Sequence, residues 1–127
     1  MSASVTKGSC LCGAVTWRTD APLRPSVACH CTQCRKTSGH YWSATQVPTN
    51  ALEIMGDALQ WYRSSTAARR GFCKHCGASM FWQLDGEGMT SIGSGTIDGP
   101  SGITTAKHIY CADKGDDYEI PAGVAQE

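Results

Sequence analysis

Cys10-Leu11-Cys12-Gly13 and Cys73-Lys74-His75-Cys76-Gly77 are the stretches whose reading decides how this chain folds. Each sets two thiols on a tight turn and follows the second thiol with a glycine. That glycine gives the backbone the freedom to aim both sulfurs to one side. Four thiolates from two such turns meet the closed, tetrahedral preference of a structural zinc. An ion held by Cys10, Cys12, Cys73 and Cys76 would clamp the first strand to the middle of the domain, across about sixty residues from Cys12 to Cys73. Because such a site exists only in the folded chain, its binding energy becomes folding energy. A third group, Cys29-His30-Cys31-Thr32-Gln33-Cys34, lies between them. With the two pairs assigned, Cys29, Cys31 and Cys34 supply three ligands and leave a fourth position open, as catalytic zinc sites do. A second closed site completed by His30, His40 or Cys111 is the alternative. His30 sits between two ligands, so its ring is expected to point away from the ion they share. Two zinc ions per chain are therefore expected. The second is the more labile, because an open thiolate site can lose its metal and oxidise.

Around these groups the chain reads as one mainly β domain. Its 127 residues suit a single core, with residues 1–127 as one zinc domain and a core of about 8–119. Residues 1–8 read as a loose leader and 120–127 as a polar tail. Short strands are expected at 14–19, 41–47, 52–55, 59–63, 79–84, 90–97 and 106–111, each bounded by glycine, proline or aspartate. The Gly56-Asp57 turn predicts that 52–55 and 59–63 pair as a hairpin. A short helical turn is expected near 34–38 or 99–103. Charged residues are only 17% of the chain, and 14 glycines supply turns. This excludes a coiled coil, a helical bundle and a disordered tail. Eleven basic residues cancel eleven acidic ones, so the broad positive field of a nucleic-acid binder is missing. No segment is apolar enough to span a membrane, and the polar start lacks the apolar core of a secretory signal. A soluble, cytoplasmic protein is expected, and in a reducing compartment its cysteines serve as ligands rather than disulfides.

Three thiolates on one zinc carry a net charge of −1. Such an electron-rich ion activates water weakly but suits holding a substrate thiol as thiolate, the better nucleophile. The carboxylates of a small thiol need cations, and Arg35 and Lys36 directly follow the triplet. His30 and His40 can move a proton as the thiol or an added aldehyde changes state; with Arg35 they form the candidate catalytic set. Trp42 is a candidate for the substrate cleft, with Trp61, Tyr62 and Trp82 either beside it or in the core. Arg63, Arg69, Arg70 and Lys74 read as a solvated strand face, and Asp113, Asp116, Asp117 and Glu119 as a solvent-facing acidic stretch. Cys111 reads as a small buried apolar residue, with a nucleophile as the minor reading.

The three cysteine groups, in this order, resemble the glutathione-dependent formaldehyde-activating enzyme family, also called the CENP-V/GFA family. The resemblance rests on residues 8–15, on 29–39 (Cys29-His30-Cys31-Thr32-Gln33-Cys34-Arg35-Lys36-Thr37-Ser38-Gly39) and on 72–77, with weaker matches at 95–98 and 107–110. It implies an Mss4-like fold of twisted antiparallel sheets stapled by zinc. It implies a structural zinc at Cys10, Cys12, Cys73 and Cys76 and a catalytic one at Cys29, Cys31 and Cys34. The implied reaction joins glutathione and formaldehyde into S-hydroxymethylglutathione and is classed with the carbon–sulfur lyases. The chain departs from the family in being shorter than the founding enzymes and in having Tyr118 where a tryptophan is frequent. A non-catalytic, zinc-stapled glutathione-binding or interaction module is the alternative function. Neither the thiol, the aldehyde nor the oligomeric state follows from the sequence.

Overall fold

A computed structural model describes residues 4–127. In chain order the elements are β1 (Thr6–Ser9), β2 (Thr16–Thr19), β3 (Ser26–Cys29), α1 (Thr32–Ser38), β4 (Trp42–Pro48), β5 (Leu52–Met55), β6 (Leu59–Arg63), β7 (Ala68–Cys73), β8 (Ser79–Leu84), β9 (Met89–Gly93), β10 (Thr105–Ile109) and β11 (Ala125–Gln126). They form a three-stranded sheet in the order β1-β2-β5 and an eight-stranded sheet in the order β11-β10-β3-β4-β9-β8-β7-β6. The protein is mainly β, as expected. The large sheet is mixed rather than wholly antiparallel, because β10 runs parallel to both β3 and β11. No helix among the described residues is long and apolar enough to cross a membrane.

Alternation builds the small sheet. In β2 the side chains of Trp17 and Thr19 are buried, while Arg18 points out to Glu53 of β5 at 3.4 Å. Trp17 joins Val15, Val47, Met80, Phe81 and Ile92 in the core, where Cys10 and Cys73 are also buried. Its indole N–H donates to Thr96 Oγ1 at 3.1 Å. Gly8 lies opposite Trp17 across the β1–β2 ladder, and a Cβ there would run into the indole ring.

Two expectations are corrected. The strands at 52–55 and 59–63 exist with those bounds but do not pair, since β5 joins β2 and β6 joins β7. The Gly56-Asp57 signal marks a crossover between the sheets. Gly56 has φ of 103° and lies so close to the Ala14 carbonyl that a side chain has no room. Ala58, two residues on, is fully buried, and its carbonyl accepts from the Lys74 N–H. Second, the expected leader and tail both carry strands. Thr6–Ser9 is β1, and Ala125–Gln126 extends the large sheet; residues 1–3 of the leader lie outside the described residues. Of the two places where a helical turn was expected, 99–103 forms none, Gly99 and Gly102 adopting φ of 76° and 73°, outside the helical range. The helical turn near 34–38 is α1, and the strand expected over 90–97 stops at Gly93 before a 3₁₀ turn. Strands β3 and β7 were not anticipated.

Replacing Gly8 with alanine is expected to lower stability by about 1–3 kcal/mol through overpacking against Trp17. Urea denaturation measures it, and an unchanged midpoint would mean the indole moves aside at no cost.

Candidate metal centres

Two turns of nearly the same shape build the first centre. In one, the Cys10 N–H donates to the Val15 carbonyl at 2.9 Å and the Gly13 N–H to the Cys10 carbonyl at 3.2 Å. In the other, the Cys73 N–H donates to the Ala78 carbonyl at 3.1 Å and the Gly77 N–H to the Cys73 carbonyl at 2.7 Å. Gly13 and Gly77 have φ of 82° and 79° with open space where a Cβ would stand, so backbone conformation rather than crowding demands glycine. The sulfurs of Cys10, Cys12, Cys73 and Cys76 all lie within 4.8 Å of one another. Cys12 Sγ is 3.7 Å from both Cys10 Sγ and Cys73 Sγ. Sulfurs bound tetrahedrally at about 2.3 Å from zinc stand about 3.8 Å apart, so this donor set fits the ion. The Ala78 N–H, then the Cys12 backbone, pull the Cys76 thiol down to about 6. At Cys12 the Ala14 N–H favours the thiolate, but burial and the thiols of Cys10, Cys73 and Cys76 outweigh it and push Cys12 up to about 11. Such crowding of sulfurs is relieved when a cation sits among them.

The second centre gathers at the start of α1. Cys29 ends β3, Cys31 caps the helix by accepting the Cys34 N–H at 3.3 Å, and Cys34 is buried in the first turn. These three sulfurs also lie within 4.8 Å of one another, and no histidine nitrogen or fourth thiol joins them among the described residues. Arg70 of β7 completes the setting. Its Nη2 donates to Cys34 Sγ at 3.5 Å and its Nε to Gln33 Oε1 at 3.2 Å, while Gln33 Nε2 donates to the Ser64 carbonyl at 3.0 Å. Cys34 is pulled down to about 6, first by the hydrogen bond from Cys29, against burial, and then by Cys31 and the Arg70 charge. Cys29 moves the opposite way, because its proton is held by Cys34 and the group is buried.

The triplet lies at a cleft of about 610 Å³. Its lining follows strand periodicity: Val27 and Cys29 from β3, Trp42, Ala44 and Gln46 from β4, Ala68 and Arg70 from β7, Trp82 and Leu84 from β8, and Ser91 from β9. Residues two apart share a face of a strand, so one face of the large sheet forms the lining while Val47 and Ile92 serve the core. Arg24, Thr32, Gln33, Ser65, Ile109, Tyr110 and Asp113 complete it. Tyr110 alone among the described non-glycine residues has a positive φ, 55°.

Of the residues expected from the sequence to serve a substrate, Trp42 lines this cleft; His30, Arg35, Lys36 and His40 do not. His30 is fully buried, with Nδ1 2.6 Å from the Tyr118 hydroxyl and Nε2 2.8 Å from His108 Nδ1. Burial first, then the nearby His108, His40 and Lys114, push its pKa down. His40 is exposed and packs on Tyr41 and Tyr118, with ring centroids 4.4 and 4.3 Å away. Arg35 is partly buried with its Nε unpartnered, and Lys36 is exposed. Trp61 carries Arg69 over its ring at 3.9 Å, and Tyr62 is exposed. Cys111 borders a neighbouring cavity that shares Arg24, Val27, Ile109, Tyr110 and Asp113 with the cleft. Arg70 and Arg24 were missed as cleft residues. Arg70 stands three residues before Cys73, but nothing local shows that its strand passes the triplet.

The chain matches the family model described as glutathione-dependent formaldehyde-activating enzyme over residues 5–113. It is similar to a Schizosaccharomyces pombe protein described as an uncharacterized lyase, with 30% identity over 119 residues, 90% of this chain and 84% of that one. Its fold is similar to a crystal structure of a Rhodobacter sphaeroides protein, with a TM-score of 0.60 and 24% identity, covering 74% of this chain and 89% of that chain.

Adding zinc to metal-free protein is expected to raise the melting temperature by more than about 10 °C. Cys76→Ser should remove most of that rise and Cys34→Ser should keep most of it, as differential scanning fluorimetry can read.

Proposed function

The chain belongs to the glutathione-dependent formaldehyde-activating enzyme family, and on that premise we propose that it is a zinc-dependent, lyase-type enzyme joining a small thiol, glutathione first, to an aldehyde such as formaldehyde. The observation that carries this reading is the three-thiol group opening on a cleft, beside a four-thiol group that is already complete. Cys10, Cys12, Cys73 and Cys76 would hold the structural ion, and Cys29, Cys31 and Cys34 the second. Bound there, zinc supplies a Lewis acid that favours a substrate sulfur in its thiolate form.

The chain's own residues do the rest. Arg70 uses two of its five N–H donors on Gln33 and Cys34, so three remain for an anionic thiol. Arg24 is half-buried, tied to the carbonyls of Pro25 and Ala44 at 3.3 and 3.0 Å, and offers its other donors to a substrate carboxylate. The thiol sulfur attacks the carbonyl carbon, the C=O π electrons move to oxygen, and the thiol's proton ends on that oxygen as a hydroxyl. No group leaves. Tyr110 and Asp113 are the titratable side chains of the cleft lining besides its thiols and arginines, and they exchange that proton. His30, held between Tyr118 and His108, acts as a strut for the Cys29–Cys31 turn rather than as a base. All eight cysteines are free thiols, which suits the reducing cytoplasm, and neither nucleic acid nor a membrane enters this reading.

Exchange spectroscopy by NMR on glutathione and formaldehyde tests the proposal. The protein should accelerate adduct exchange, Cys34→Ser should abolish the acceleration, and Arg70→Gln should lower it about ten- to a hundredfold, the range of one charged hydrogen bond. An exchange rate unchanged by the protein overturns the enzyme reading. A non-catalytic thiol-binding module is the second reading, favoured by the lack of a histidine in the described cleft lining. Saturable glutathione binding without faster exchange would select it.

A further inference from the structure

The cleft is much larger than formaldehyde, and much of its wall is carbon. Val27, Trp42, Ala44, Ala68, Trp82 and Leu84 present apolar side chains along one face of five adjacent strands, interrupted by Gln46, Ser91 and Arg70. Trp42 and Trp82 are half-buried and Leu84 is 37% exposed, so this surface meets solvent when the cleft is empty. The polar groups that match a charged thiol lie at identifiable points: Arg70 against Cys34, and Arg24 at the boundary with the neighbouring cavity. Neither a two-heavy-atom aldehyde nor the charged ends of a thiol gains by covering tryptophan and leucine. An alkyl or aryl group does, because removing apolar surface from water is favourable in proportion to its area.

We propose that the carbonyl substrate is an aldehyde carrying a bulky apolar group, and that Trp82, Leu84 and Ala68 receive that group while its carbonyl carbon lies at the thiolate triplet. This rests on the lyase-type reading of the same site. The reaction is the same addition: a C–S bond forms, the C=O π bond opens, and the thiol proton passes to oxygen, giving a hemithioacetal with no oxidant or leaving group. Recognition of the charged thiol by Arg24 and Arg70 and apolar recognition by Ala68, Trp82 and Leu84 then divide the cleft between the two reactants. The neighbouring cavity at Cys111 shares the arginine side of this division, not the tryptophan side.

The experiment compares glutathione adduct exchange by NMR with hexanal and with formaldehyde, each expressed as acceleration over its own uncatalysed rate. The zinc-loaded protein should accelerate the hexanal adduct at least tenfold more than the formaldehyde adduct. In Leu84→Gln and Trp82→Ala this ratio should fall towards one. Leu84 is exposed, so its variant decides the point if Trp82→Ala fails to fold. Equal acceleration of both aldehydes, or a ratio untouched in Leu84→Gln, overturns this inference and leaves the lyase-type reading standing. No acceleration with either aldehyde overturns the lyase-type reading itself, and this one with it.

Discussion

Four sulfurs that belong to distant turns meet within 4.8 Å, and the remainder of the molecule is arranged around that meeting. Cys12 and Cys73 are 61 positions apart in sequence and 3.7 Å apart at their sulfurs. Without a cation, thiolates this close would repel one another. With one, the convergence fastens the three-stranded sheet, whose β1–β2 connection carries Cys10 and Cys12, to the strand that Cys73 ends. Both Cys10 and Cys73 are also part of the apolar core, so metal ligation and core packing reinforce each other rather than competing for chain.

That same strand carries the consequence to the second centre. β7 runs from Ala68 to Cys73, with Cys73 in the clamp and Arg70 on Cys34. A rigid three-residue step therefore sets a guanidinium against the open triplet. The two thiol groups differ in their surroundings. One is closed and half in the core; the other has three donors, a cation beside it and a cleft in front. His30, between Cys29 and Cys31 in sequence, is buried with both ring nitrogens engaged by Tyr118 and His108.

The cysteine grouping was legible because ligands that share a turn are neighbours in sequence, and both groups assemble as the spacing implies. Strands such as 52–55, 59–63 and 79–84 were legible because turn residues bound them closely. Their pairing was not. Gly56-Asp57 reads as a hairpin turn, yet the left-handed glycine is needed where the chain squeezes past Ala14 into another sheet. β3 and β7 escaped notice because Ser26-Val27-Ala28-Cys29 has little contrast and Ala68-Arg69-Arg70-Gly71 looks like a charged surface. The cleft inherits that blindness. Its arginines come from 24 and 70, while the sequence pointed to Arg35 and Lys36, which the helix rotates away from the lining. Which face of a seven-residue helix meets a sheet is a property of tertiary packing, not of local spacing.

Native mass spectrometry of protein purified under reducing conditions tests the central claim most directly. Two zinc ions per chain are predicted, with one ion remaining when Cys29, Cys31 and Cys34 are all replaced by serine. A single ion in both proteins would contradict the account, since the triplet would then hold no metal and the open centre would not exist.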